Sequence, residues 1–118
     1  MILFCDTSAL LKLFIAEPGA ELVAKQAATS TALAVNQYEI ARQRLTDQWP
    51  AFITLELSIS LAEQAARFAD VFALRADDSV QLASAHLLHS AQADAVVFAG
   101  FDLRLCRAAA TLGLSGLD

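Results

Sequence analysis

Asp6 stands directly after four apolar residues, Ile2 to Cys5. A carboxylate beside a core persists only where something offsets its desolvation. Further acids occupy comparable places. Asp102 comes two residues after the apolar run "AVVFAG", Glu39 lies in the first turn of the helix expected after "TALAV", and Asp77 and Asp78 open "DDSVQLASAHLL". If the strands are parallel, ligands bind at their carboxyl edge, where Asp6, Glu39 and Asp102 would meet. Crowded carboxylates repel and raise one another's pKa. Helix N-terminal dipoles offset about 0.3–1 kcal/mol per group, and a divalent cation would supply the rest. Oxygen donors without a nearby His or Cys suit Mg²⁺ or Mn²⁺ rather than zinc. Two such ions about 3.5–4 Å apart would activate a water and stabilise a leaving oxygen, which is the chemistry of phosphodiester hydrolysis.

Each acid also has an ordinary structural use, and spacing alone leaves both open. Asp6 can cap the first helix, as can Thr7 or Ser8. Glu39 can be a solvated first-turn acid, Asp77 and Asp78 a cap pair, and Asp102 the cap of the last helix. Thr7 and Ser8 can also donate hydrogen bonds beside the acids. Arg104 and Arg107 flank Asp102 and can either grip phosphates or face solvent. His86 and His89 lie three apart on one helix without an evident third ligand, which favours packing or surface roles. No GxSxG and no glycine-rich phosphate loop is present. A phosphoacceptor domain would want a lysine after a late strand, and the lysines are Lys12 and Lys25.

The elements that must position these residues follow from apolar patterning. Strands are expected at Ile2 to Cys5, Thr31 to Val35, Phe52 to Leu57 and Ala95 to Gly100, and the last residues can add a short one. Helices are expected from Ser8 to about Ile15 and, opened by Pro18, to about Ala28. A third, capped by Asn36, carries Tyr38, Ala41 and Leu45 on one face and ends at Trp49-Pro50. Ser60 with Glu63 has capping-box spacing for a helix through Phe72. Asp77 or Asp78 caps a helix whose core face is Val80, Ala83, Leu87 and Ala91. The last helix spans Asp102 to Leu112, and Gly113 stops it.

Strands apolar on both faces that alternate with helices imply a layered α/β domain around a parallel sheet. The 118 residues, 57% of them hydrophobic, suit one domain and exclude a disordered chain. The net charge of −5, with two lysines among eight basic residues, argues against a non-specific nucleic-acid coat protein. It is compatible with an enzyme that meets nucleic acid through metal ions. No apolar run approaches the ~20 residues that span a bilayer, and Met1 leads directly into a strand. A soluble, cytoplasmic protein with no membrane partner is expected. Cys5 and Cys106 fall in apolar and helical patterns, where thiols are small packing residues rather than a disulfide.

Four blocks, "ILFCDTSALLKLFIAEPGAE", "YEIARQRL", "LRADDSVQLASAHLL" and "FAGFDLRLCRAAATLGL", resemble in order the successive blocks of a PIN-domain ribonuclease. They are most similar to the small VapC-type toxins of bacterial toxin–antitoxin pairs. The resemblance covers nearly the whole chain, residues 1–118 as one PIN-like domain. It implies a three-layer α/β fold with a central parallel sheet of about five strands. It also implies Mg²⁺- or Mn²⁺-dependent RNA cleavage, a homodimer and neutralisation by a cognate antitoxin. The family's catalytic and metal-binding acids fall on Asp6, Glu39, Asp78 and Asp102. The third block aligns as R-x-x-D-x-x-x-L-A and thereby selects Asp78 over Asp77. The chain departs from the family in a shortened segment between Glu39 and Asp78. It also has Gly100 where relatives often carry a Thr or Ser hydroxyl. The alternative is a PIN-like module that binds RNA or protein without catalysis.

Overall fold

The computed structural model describes residues 1–13, 15–37 and 52–117. Strand β1 spans Ile2–Cys5 and leads into helix α1, Thr7–Lys12. Helix α2 (Ala20–Thr29) and strand β2 (Ala32–Asn36) follow. Strand β3 is Phe52–Leu55, and helices α3 and α4 are Ile59–Phe72 and Ala76–Ala91. Strand β4 (Val96–Ala99) and helix α5 (Leu103–Thr111) complete the described elements. The strands form a parallel sheet in the order β3-β2-β1-β4, with Leu3 opposite both Leu33 and Val97.

Alternation along β1 explains the layers. Ile2 and Phe4 point to one face, where they join Ala34, Val96 and Phe98 under residues of α3, α4 and α5. The Phe4 and Phe98 rings stack there at 5.9 Å between centroids. Leu3 and Cys5 point to the other face, with Val35, Val97 and Ala99 against Ala9, Leu10 and Val23 of α1 and α2. Both faces of the central strands are therefore dry, which is why their sequences read as unbroken apolar runs.

The expected α/β class and parallel order hold, and several details are corrected. The described sheet has four strands rather than about five. The final segment contributes a single bridge, Val97 to Ser115, with the Phe98 N–H donating to the Ser115 carbonyl at 2.7 Å. Only Leu114 of that segment is buried in the core, too little to extend a strand beside β4. Helix α2 starts at Ala20, not Pro18, because Glu17 to Ala20 makes a turn and Gly19, at φ +92°, precedes the helix. Ser58, not Ser60, caps α3 by accepting from the Leu61 N–H at 3.1 Å. Neither Asp77 nor Asp78 caps α4; Arg75 occupies that position without a side-chain cap.

The buried side of α4 keeps Ala83, with Val80 packed against the core as expected, and adds Leu82, Ala85 and Leu88, while Leu87 and Ala91 are exposed. Asn36 ends β2 fully buried, and its amide donates to Ser84 Oγ at 2.8 Å. The helix it is expected to cap, with Tyr38, Glu39, Ala41, Leu45 and the Trp49-Pro50 stop, lies outside the described residues. Gly113 adopts φ +90° after α5, as its stop role requires. Cys5 and Cys106 are both free thiols, and burial pushes Cys5 up to about 12. No helix among the described residues is long and apolar enough to cross a membrane.

Candidate functional site

The chain leaves β1 toward β2 and β3 on one side and returns to place β4 on the other. In parallel sheets a crevice opens at such a reversal, beyond the carboxyl ends of the strands. Asp6 follows β1 and Asp102 follows β4, so the two acids flank this crevice. Helix α4 leads back into β4, so its N-terminal turn lies at the same edge and contributes Asp78. A cavity of about 400 Å³ is lined by Asp6, Thr7, Ser8, Gln81, Phe101 and Asp102, and by Arg75, Asp77 and Asp78.

Asp6 is buried, and its two oxygens divide their work. Oδ1 accepts from Ser8 Oγ at 2.7 Å and from the Ala9 N–H at 3.0 Å, capping α1. Oδ2 lies so near Gly100 that a Cβ there would stand 2.6 Å away. Burial raises the Asp6 carboxyl above its ordinary 3.8 and the Asp78 charge adds to this, while the hydrogen bonds from Ala9 and Ser8 oppose it. Asp102 caps α5 through Oδ1, which accepts from the Leu105 N–H at 2.9 Å. For Asp6 and Asp102 the capping use is thus real, and it leaves each a second oxygen.

Asp78 is different. It sits in the first turn of α4 and takes no capping bond. Arg75 Nε approaches its Oδ2 at 3.5 Å and Asp77 Oδ1 at 3.9 Å. The Asp78 carboxyl is raised, first by desolvation, then by the charges of Asp77 and Asp102, with Arg75 opposing. Asp77 is mostly exposed. The thiol of Cys106 is also raised, first by desolvation and then by Asp6 and Asp102. Asp78 is thus the acid that feels or acts on both others: its charge raises Asp6, and the charge of Asp102 raises it.

Oxygen-only donors that destabilise one another suit a hard divalent cation in kind. In geometry the fit is incomplete, since among the described residues no three Asp, Glu, His or Cys side chains close into a metal-holding group. Glu39, the fourth expected acid, lies outside the described residues. His86 packs edge-on against Phe68 at 5.4 Å, and the site cavity includes neither histidine. Arg104 and Arg107 line an adjoining cavity of about 500 Å³ that shares Arg75, Asp78 and Asp102 with the first.

Sequence reasoning missed three features of this site. One is Arg75, visible only as the R of R-x-x-D. Another is Phe101 at the cavity wall. The third is the close approach at Gly100, since a glycine after a strand gives no sign of what presses on it. Neither protein-family models nor curated proteins give a match to this chain.

Proposed function

We propose that the chain is a PIN-type endoribonuclease of the VapC kind, hydrolysing RNA phosphodiester bonds with Mg²⁺ or Mn²⁺. The observation that carries this reading is the meeting of Asp6, Asp78 and Asp102 on one cavity at the reversal point of a parallel sheet. The cation, when bound, supplies charge against the phosphate and acidifies a water. The chain's own contribution is placement. Ser8 and Ala9 fix Asp6 through Oδ1, the Leu105 N–H fixes Asp102, and Arg75 holds Asp78. Glu39 completes the set in this reading. So do a homodimer, a cognate antitoxin and a cytoplasmic site of action.

The test is cleavage of labelled RNA with Mn²⁺, with and without EDTA, beside Asp78→Asn. Metal-dependent cutting that the variant loses supports the reading; wild-type protein that leaves RNA intact overturns it. A second reading, a PIN-like RNA- or protein-binding module, draws on the failure of the described acids to close into a three-ligand group. It expects RNA or protein binding without metal-dependent cutting. A toxin should also arrest growth when expressed alone and be relieved by the product of a neighbouring short gene.

A further inference from the structure

We propose that the Phe101 ring is a stacking platform for an unpaired base beside the carboxylates, and that Arg104 and Arg107 take the phosphates next along the strand. This rests on the nuclease reading and specifies how that site would seat its substrate. Phe101 lies between β4 and α5 and is 40% exposed, yet it lines the same cavity as Asp6 and Asp102. Its placement is enforced from behind. Lys12 Nζ stands 4.6 Å over the ring centroid and is held by Glu17 Oε1 at 2.8 Å. Gly19 backs the ring so closely that a Cβ would meet Phe101 Cε1 at 3.0 Å. Lys12 thus lies over the ring, while the residue keeps its exposed part at the cavity wall. A rigid aromatic at the wall of a polar cavity is what a base needs, because every base offers a π-face.

The arginines extend the same path. Arg104 and Arg107 are three apart on α5, so they project from neighbouring positions on that helix, and both line the cavity that adjoins the acids. Arg104 Nη1 donates to the Ala73 carbonyl at 3.0 Å, which anchors the guanidinium while four of its five N–H donors remain for other acceptors. Neither arginine forms an ion pair among the described residues. In a chain of net charge −5, such cations beside an acidic cavity complement a polyanion that crosses it. Stacking requires a base free of its partner, so the seat selects single-stranded over duplex RNA.

The test measures binding rather than turnover. Asp6→Asn is the background, because Asn keeps the helix cap while removing a proposed metal ligand. Fluorescence anisotropy with Mg²⁺ and a short labelled single-stranded RNA gives the affinity. Phe101→Ala should weaken binding by about 5- to 150-fold, the equivalent of one stacked base. Phe101→Leu keeps apolar bulk against Lys12 and Gly19 and should weaken it similarly, whereas Phe101→Trp should preserve it. Arg107→Ala should lower the log–log salt slope by about 0.7. Duplex RNA should not respond to the Phe101 variants. Unchanged affinity in the folded Phe101→Ala and Phe101→Leu variants, or no RNA binding by the background protein, overturns the proposal. The two readings fail separately: cleavage with no Phe101 dependence sinks only the stacking seat, and Phe101-dependent binding with no cleavage sinks only the nuclease.

Discussion

Gly100 changes meaning once Asp6 is placed. By resemblance its position often carries a hydroxyl, so glycine reads as a loss. In the fold, a Cβ on Gly100 would stand 2.6 Å from Asp6 Oδ2 and 2.8 Å from Phe98 Cε2. The missing side chain is therefore what lets the buried carboxylate keep its place. Gly100→Ser should displace Asp6 rather than restore a useful hydroxyl, and it should cost about 1–3 kcal/mol as an overpacked site does. Urea unfolding measures this, and unchanged stability would show that the neighbours yield freely. The Asp6 carboxyl gives a second expectation, whose sign follows from its raised pKa. A group raised in the folded state contributes stability fully below its unfolded value, near 3.8, and loses it as pH climbs through the folded value. Asp78 acts in the same direction. Asp6→Asn keeps the cap and removes the charge, so the metal-free variant should match or exceed the parent at neutral pH and lose its advantage in acid. Thermal melts across pH check it, and a variant weaker than the parent at neutral pH would overturn the repulsion account. Asp6 and Asp102 were legible in sequence because each closely follows an apolar strand. Asp77 and Asp78 were ambiguous because spacing permits both. The fold leaves Asp77 mostly exposed and Asp78 mostly covered, although both reach the cavity wall. Under the proposed nuclease reading, Asp77→Asn should leave RNA cutting nearly intact, and equal losses at the two positions would undo that assignment.

Helix α4 shows where apolar periodicity misleads. Its leucines and alanines surround the axis, so several faces look equally able to enter the core. Its polar residues do not mark the solvent side either. Ser79 is buried because its hydroxyl donates to the Ala76 carbonyl at 2.7 Å. Ser84 is buried because it donates to the Val80 carbonyl and accepts from Asn36, each at 2.8 Å. Satisfied hydroxyls enter a core at little cost, and the true face consequently keeps Val80 and Ala83 of the expected one while Leu87 and Ala91 turn to solvent. Leu88→Ala should cost about 2–5 kcal/mol as a core truncation, and Leu87→Ala should stay within about 0.5 kcal/mol as a surface change. Denaturant midpoints distinguish them, and a reversed order would restore the face expected from sequence. The α3 cap is a parallel case: Ser58 and Ser60 are both plausible letters, and only the chain's entry angle decides. Ser58→Ala should cost about 0.5–2 kcal/mol, with Ser60→Ala nearly silent. Strands β1 and β4 were the easiest to read because burial on both faces leaves few polar letters to confuse them, whereas β3 is legible through alternation, with Ile53 exposed between the partly covered Phe52 and Thr54. The final segment, expected to add a short strand, contributes only a bridge at Ser115, which is too short to show any periodicity.

The order β3-β2-β1-β4 gives the molecule one place where acids from distant parts of the chain can meet without a dedicated loop. Asp6 and Asp102 follow two adjacent parallel strands that run toward this edge, and Asp78 arrives on the helix that feeds the second of them. Two of these acids also cap helices, so their removal mixes structural and electrostatic effects. Asp78 has no capping duty, which makes it the clean probe of a metal centre. A cation bound only by the folded chain stabilises it by about 2.7 kcal/mol at a hundredfold excess over Kd. In a chain of this length that is roughly 10 °C in Tm. Mn²⁺ should therefore raise the melting temperature of the wild type. It should raise that of Asp77→Asn nearly as much and that of Asp78→Asn far less, with the metal-free Tm of Asp78→Asn no lower than the parent's. If millimolar Mn²⁺ leaves all three melting curves in place, the carboxylates share a cavity without sharing a metal. The two capping acids would then be structural, and only the binding-module reading of the cavity would stand.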